Sequence, residues 1–156
     1  MDIQKQYETA VEKAHAMLGT LNVAHGTPKN ILGLSGWVFE QTIRSAIEKE
    51  LSQRNIAYDF KEQVPIVSKS KVDLVVGNIA IEVKVSGFYS NVEEKYSRYR
   101  QILEQRGLQY FYVTLYEEYA KNIQIAERIF GHDKAFVLTV PGEWERFISQ
   151  LVANLR

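Results

Sequence analysis

KVDLVVGNIAIEVKV, residues 71–85, consists of two β-prone apolar runs joined by Gly77-Asn78. A two-residue connection with glycine first predicts a β-hairpin closed by a type II′ turn, whose first central position needs φ > 0. The turn sets the register: Val76 pairs with Ile79, so Asp73 falls opposite Glu82 and Lys71 opposite Lys84. Side chains alternate between faces. One face then carries Val72, Leu74, Val76, Ile79, Ile81, Val83 and Val85, and is predicted to be the core face. The other carries Lys71, Asp73, Val75, Ala80, Glu82 and Lys84. Two carboxylates directly opposed across a strand pair, with Cβ atoms ~5 Å apart, repel unless a cation lies between them, and a hard divalent ion meets that need. The plainer alternative is a solvated strand face that simply carries Asp, Glu and Lys.

Working toward the N-terminus, residues 62–67 (EQVPIV) read as a short strand that Pro65 confines to a sheet edge. Residues 36–53 (GWVFEQTIRSAIEKELSQ) read as a helix with Ser35 as its N-cap. On that helix Ile43, Ile47 and Leu51 fall on one narrow arc, Trp37 and Phe39 flank it, and Glu40 lies inside it. A carboxylate within a buried stripe is costly without a partner. Glu40 therefore either escapes to solvent or an arginine at the helix end, or points at the same cation as Asp73 and Glu82. Residues 20–35 (TLNVAHGTPKNILGLS) read as a long connection, and 2–18 as a helix on the spacing of Ile3, Tyr7, Val11, Ala14 and Leu18, capped by Asp2.

Toward the C-terminus, 89–106 reads as a helix with Val92, Tyr96, Tyr99 and Leu103 on one stripe, opened by Ser90 or Asn91 and stopped by Gly107. Residues 108–116 read as a strand, 118–130 as a helix closed by Gly131, 134–140 as a strand and 141–155 as a last helix. This order predicts an α/β domain built around a mixed sheet.

The chain has 156 residues, one domain's worth, with 46% hydrophobic and 24% charged residues and 19 basic side chains against 19 acidic ones. The absence of cysteine excludes disulfides, thiolate zinc sites, iron–sulfur clusters and cysteine nucleophiles. No apolar run approaches a membrane span and the N-terminus is unlike a signal peptide, so a cytoplasmic location is expected. His15, His25 and His132 have no ligand-like spacing. With zero formal charge, nucleic-acid binding would need a local basic surface or ions masking carboxylates. Lys95, Arg98 and Arg100 on the 89–106 helix, Lys71 at a strand start, and Lys29 in the long connection are the candidate backbone contacts. Tyr96 and Tyr99, at helical spacing, read as core rather than as DNA contacts.

Glu40 in GWVFEQTI, Asp73 in KVDLVV, and Glu82-Val83-Lys84 in IEVKV, with the intervening elements, resemble the PD-(D/E)xK nuclease superfamily, which includes type II restriction endonucleases and Holliday junction resolvases. The resemblance spans residues 36–116. Val72 stands where the family name has proline, and the Gln-x-x-x-Tyr motif of the RecB-like branch is absent, since Gln101 is followed four residues on by Gln105. The resemblance implies a restriction endonuclease-like three-layer core, a central mixed β-sheet flanked by helices. It implies a single nuclease domain over 1–156, with an N-terminal helix and loop (1–35), a catalytic core (36–116) and a C-terminal helix-strand-helix (117–156). The implied activity is Mg²⁺-dependent DNA endonuclease, with Mn²⁺ able to substitute, in a type II restriction-like homodimer paired through the first and last helices. Asp73, Glu82 and the Val83 carbonyl would hold the metal, Glu40 a second ion or a metal-bound water, and Lys84 would orient or deprotonate the attacking water. A structure-specific junction resolvase of the same fold and a noncatalytic DNA-binding module remain as alternatives.

Overall fold

The computed structural model describes residues 2–25, 32–86, 92–116 and 120–156. Helices α1 (Ile3–His25) and α2 (Leu32–Gln53) precede strands β1 (Phe60–Val67), β2 (Ser70–Val76) and β3 (Ile79–Ser86). Then come α3 (Glu93–Gln105), β4 (Gln109–Tyr116), α4 (Ala120–Phe130), β5 (Ala135–Val137) and α5 (Glu143–Asn154). The five strands form one mixed sheet in the order β1-β2-β3-β4-β5. β1, β2 and β3 pair antiparallel, whereas β4 runs parallel to β3 and β5 parallel to β4. The parallel pairs require crossovers, and α3 and α4 lie in those connections.

Hydrophobic residues on both faces of the sheet give three layers. On one face Leu74, Val76, Ile79, Ile81, Phe111 and Val113 meet Phe39, Ile43 and Ile47 of α2 and Trp144, Phe147 and Leu151 of α5, with Ile3 and Tyr7 of α1 closing the edge. On the other face Val75, Ala80, Tyr110 and Tyr112 meet Tyr96, Tyr99 and Leu103 of α3 and Ala126, Ile129 and Phe130 of α4. The face that carries Glu82 and Lys84 is therefore not a plain solvated face, because a second helical layer covers much of it. β1 is an edge strand, as Pro65 requires.

The turn chemistry of the hairpin holds. Gly77 sits at φ +55°, while Asn78 is not among the described positive-φ residues, the signature of a type II′ turn. The ladder Val76–Ile79, Val75–Ala80, Leu74–Ile81 matches the predicted register. It ends there, so Asp73 and Glu82, and likewise Lys71 and Lys84, are not a continuing pair. An irregularity sits one strand over. In β1 the ladder with β2 skips Gln63, which would face Asp73, because Gln63 takes φ +51°. That local kink accompanies a change of side: Val72 packs with Val75, Tyr96 and Tyr110 in the α3/α4 layer rather than with Leu74 and Val76.

Three further readings are corrected. α1 runs to His25 and α2 begins at Leu32, so both ends of the expected 20–35 connection are helical and residues 26–31 lie outside the described part. Ser35 thus lies inside α2 rather than capping it, and its side chain hydrogen-bonds Tyr7. α3 has Val92 as its N-cap with no side-chain capping bond, while Ser90 and Asn91 lie outside the described residues.

The hairpin turn is pinned from three directions. The Asn78 carbonyl accepts from the Gln109 N–H at 2.9 Å, its amide donates to the Asn154 carbonyl at 3.1 Å, and its side-chain oxygen accepts from the Arg156 N–H at 2.9 Å. A Cβ on Gly77 would fall 2.8 Å from Tyr58 Cδ1 and 3.2 Å from Leu155 Cδ2. Gly77→Ala combines that clash with left-handed backbone, and we expect it to lower unfolding free energy by about 2 kcal/mol. Urea denaturation checks this, and an unchanged midpoint would contradict the packing described.

Candidate active site

Glu82, 4% exposed, projects from the middle of β3. The parallel register sets Ala80 beside Tyr110 and Glu82 beside Tyr112. From that position the Tyr110 hydroxyl donates to Glu82 Oε2 at 2.8 Å. The other oxygen, Oε1, lies 3.3 Å from Lys84 Nζ, two residues along the same strand and the same face. Lys84 in turn lies 5.9 Å from the Tyr96 ring centroid and hydrogen-bonds the Tyr96 side chain, so α3 holds the ammonium from above.

Asp73 occupies the gap where the hairpin ladder stops. Its Oδ2 accepts the Val83 N–H at 2.8 Å, so a side chain satisfies an amide that a strand partner would otherwise take. Glu40 enters from α2 and shares a side-chain hydrogen bond with Asp73, and Glu40 Oε2 accepts from the Gln63 amide at 3.2 Å. The helix glutamate thus reaches the hairpin carboxylates rather than escaping to solvent or pairing with an arginine. Gln63 is a site residue that pattern reading misses. A non-glycine residue with φ +51° inside a strand costs on the order of 1–3 kcal/mol. Here that strain delivers an amide to Glu40 opposite Asp73.

Three carboxylates crowd around one ammonium, and their proton affinities register it. Burial first, then the charge of Asp73 and the hydrogen bond with it, then the charge of Glu82, push Glu40 up to about 8, with Lys84 opposing. Burial and then the Asp73 charge push Glu82 up to about 7, against the pull of Lys84 and of the Tyr110 hydroxyl. Burial alone would depress the Lys84 ammonium, but the charges of Glu82, Tyr96 and Asp73 outweigh it and raise Lys84 above the ordinary lysine range. Burial and the neighbouring Glu82 likewise push the Tyr110 hydroxyl up, so it remains a donor at neutral pH.

The basic residues named from sequence divide. Lys71 is exposed and pairs with Pro65 on β1, away from Lys84. Arg100 is committed to the fold: Nε donates to Glu104 at 2.7 Å and Nη1 to the Ile129 carbonyl at 2.7 Å, tying α3 to α4. Lys95 and Arg98 are exposed on α3, whereas Tyr96 and Tyr99 are buried as core. Lys29 lies outside the described residues.

Among the described residues no group of three or more His, Asp or Glu side chains is arranged to enclose a metal ion by itself. No described helix is long and apolar enough to cross a membrane. No protein-family model, curated protein or solved structure matches the chain.

Proposed function

We propose that this protein is a metal-dependent DNA endonuclease of the PD-(D/E)xK kind, hydrolysing phosphodiester bonds with Mg²⁺, or with Mn²⁺ in its place. One observation carries the reading: Glu40, Asp73, Glu82 and Lys84, drawn from α2, β2 and β3, meet in mutual electrostatic contact where the hairpin ladder stops. A solvated strand face offers no reason for a helix carboxylate to join that cluster or for Glu82 to be buried within it.

The donor chemistry fits a hard divalent ion. Oxygen ligands in negative excess, two of them held by fixed donors, suit Mg²⁺, which keeps several waters and therefore needs only one or two protein carboxylates. Asp73 and Glu82, with the Val83 carbonyl, would hold the ion, and Glu40 a second ion or a bound water. When bound, the ion polarises the scissile phosphate and lowers the pKa of an attacking water. The chain's own residues orient and balance the site. Tyr110 fixes the rotamer of Glu82, the Val83 N–H fixes that of Asp73, and Gln63 steadies Glu40. Lys84, kept as ammonium beside Glu82, offers a proton and positive charge to the phosphoryl oxygens as charge develops on them. One such site cuts one strand, so double-strand cleavage calls for a symmetric pair of chains.

The reading is tested by incubating the protein with supercoiled plasmid, linear duplex and a four-way junction, in Mg²⁺ and in EDTA. We expect cleavage in Mg²⁺ and none in EDTA. Discrete fragments from linear duplex indicate a site-specific enzyme, and selective junction cutting indicates a resolvase. Binding without cleavage of any substrate would replace the endonuclease with a noncatalytic DNA-binding module.

A further inference from the structure

A polar pocket opens between the β1–β2 turn and the exposed side of α3, lined by Val67, Ser68, Ser70, Glu94, Lys95, Arg98 and Tyr99. Its arginine differs from most arginines of the chain. Arg44, Arg54, Arg100, Arg106, Arg128 and Arg146 are each bound by carboxylates or carbonyls. Arg98 has no ion pair or hydrogen bond among the described residues, although acidic side chains are as abundant as basic ones. Lys95 rests on two rings, 5.4 Å from the centroid of Tyr96 and 5.7 Å from that of Tyr99, which positions its ammonium without neutralising it.

Hydroxyl groups line the same pocket. Ser70 Oγ and the Tyr99 hydroxyl hydrogen-bond each other in its lining. Ser68 takes φ +51° in the two-residue turn between β1 and β2, a position that glycine or asparagine fills with less strain. A strained serine beside two unneutralised cations is an observation that asks for a ligand. Two cations, hydroxyl donors and one exposed opposing carboxylate, Glu94, match a singly charged phosphodiester.

Position ties the pocket to the candidate active site. The Lys84 and Lys95 ammonium groups contact the same Tyr96 ring at 5.9 and 5.4 Å from its centroid, so they lie at most about 11 Å apart. A DNA strand advances ~3.4 Å per nucleotide along the helix axis, so this gap corresponds to a few nucleotides. Resting on the endonuclease reading, we infer that the pocket seats a backbone phosphate of the strand being cut, a few nucleotides from the bond presented to Lys84. The contact is to a phosphate and carries no base specificity.

The test uses the full chain in EDTA, where no cleavage interferes, and measures binding of a fluorescent duplex by anisotropy against salt. Lys95→Ala/Arg98→Ala should weaken binding 10- to 100-fold and reduce the slope of log K against log salt by about 1 to 2, as loss of phosphate neutralisation requires. Ser68→Gly should weaken binding several-fold while raising the melting temperature, a pairing that simple damage to the fold would not produce. Unchanged affinity and salt slope in the double variant, with wild type binding DNA, would overturn the pocket and leave the endonuclease reading intact. A parallel titration with inorganic phosphate, followed by the Ser68 and Ser70 amide resonances, separates the sources. Shifts with phosphate but none with DNA would overturn the DNA assignment and mark the pocket as a free-phosphate site.

Discussion

Lys84→Ala should reduce Mg²⁺-dependent cleavage by about 10³-fold, which is about 4 kcal/mol of transition-state stabilisation. The size follows from position. Lys84 is the cation whose charge acts on all three of Glu40, Asp73 and Glu82, and on the proposed reading it is the residue that would offer positive charge to the phosphoryl oxygens. The substitution also leaves Glu82, 4% exposed, with the Tyr110 hydroxyl as its remaining side-chain partner, so part of any loss could reflect the fold. Lys84→Arg separates the two effects. It keeps a cation beside Glu82 and should preserve the melting temperature within a few degrees. A planar guanidinium that never gives up its proton replaces the compact ammonium, so activity should remain at least 10²-fold down. Near-wild-type cleavage by Lys84→Ala would remove this residue from the mechanism.

The second large effect is on stability, and its sign is opposite to that of ordinary salt-bridged carboxylates. Glu40 and Glu82 are pushed up to about 8 and about 7, from 4.5. The folded chain therefore retains protons that the unfolded chain releases, and the stabilisation is complete below about pH 4.5 and lost as pH rises through 7 and 8. Without divalent ions the protein should lose on the order of 3 kcal/mol between pH 5 and pH 9, a figure already reduced for the partial exposure of Glu40. Glu40→Gln resembles the protonated side chain. It should match wild type at pH 5, exceed it by about 2 kcal/mol at pH 9, and cleave poorly at every pH. Such a gain is expected where the fold crowds like charges together. Urea midpoints for the two proteins across that pH range decide the matter, and parallel curves would show that Glu40 does not titrate in this window.

The residues explain why some features were legible in sequence and others were not. A two-residue Gly-Asn turn admits one register, so Leu74–Ile81 and its neighbours follow directly. Glu40 stood out because a carboxylate within a buried stripe needs a partner, and α2 places it against Asp73. Helix ends are set by tertiary packing more than by local preference, which is how α1 and α2 extend into a stretch rich in glycine, asparagine and threonine. The change of side at Val72 accompanies the positive φ of Gln63, a residue with nothing in its local pattern to announce it. Tyr110 lay hidden in LQYFYVTLY, where seven of the nine residues are apolar or aromatic. Only the parallel register of β4 on β3 selects which tyrosine reaches Glu82.

The same topology bears on the order of assembly. Asp73 and Glu82 are separated by a hairpin of the sort that closes in microseconds, whereas Glu40 and Tyr110 reach them across 33 and 28 residues of chain, with slower loop closure. The antiparallel pairing of β2 with β3 is local, and the parallel pairing of β3 with β4 waits on the α3 crossover. The hairpin thus brings two like charges together before the phenol that restrains one of them has arrived. Their repulsion then weighs on the early, local step of folding. Protonation or a bound cation would speed that step, so the hairpin that gathers the carboxylates also meters how fast the chain acquires its shape.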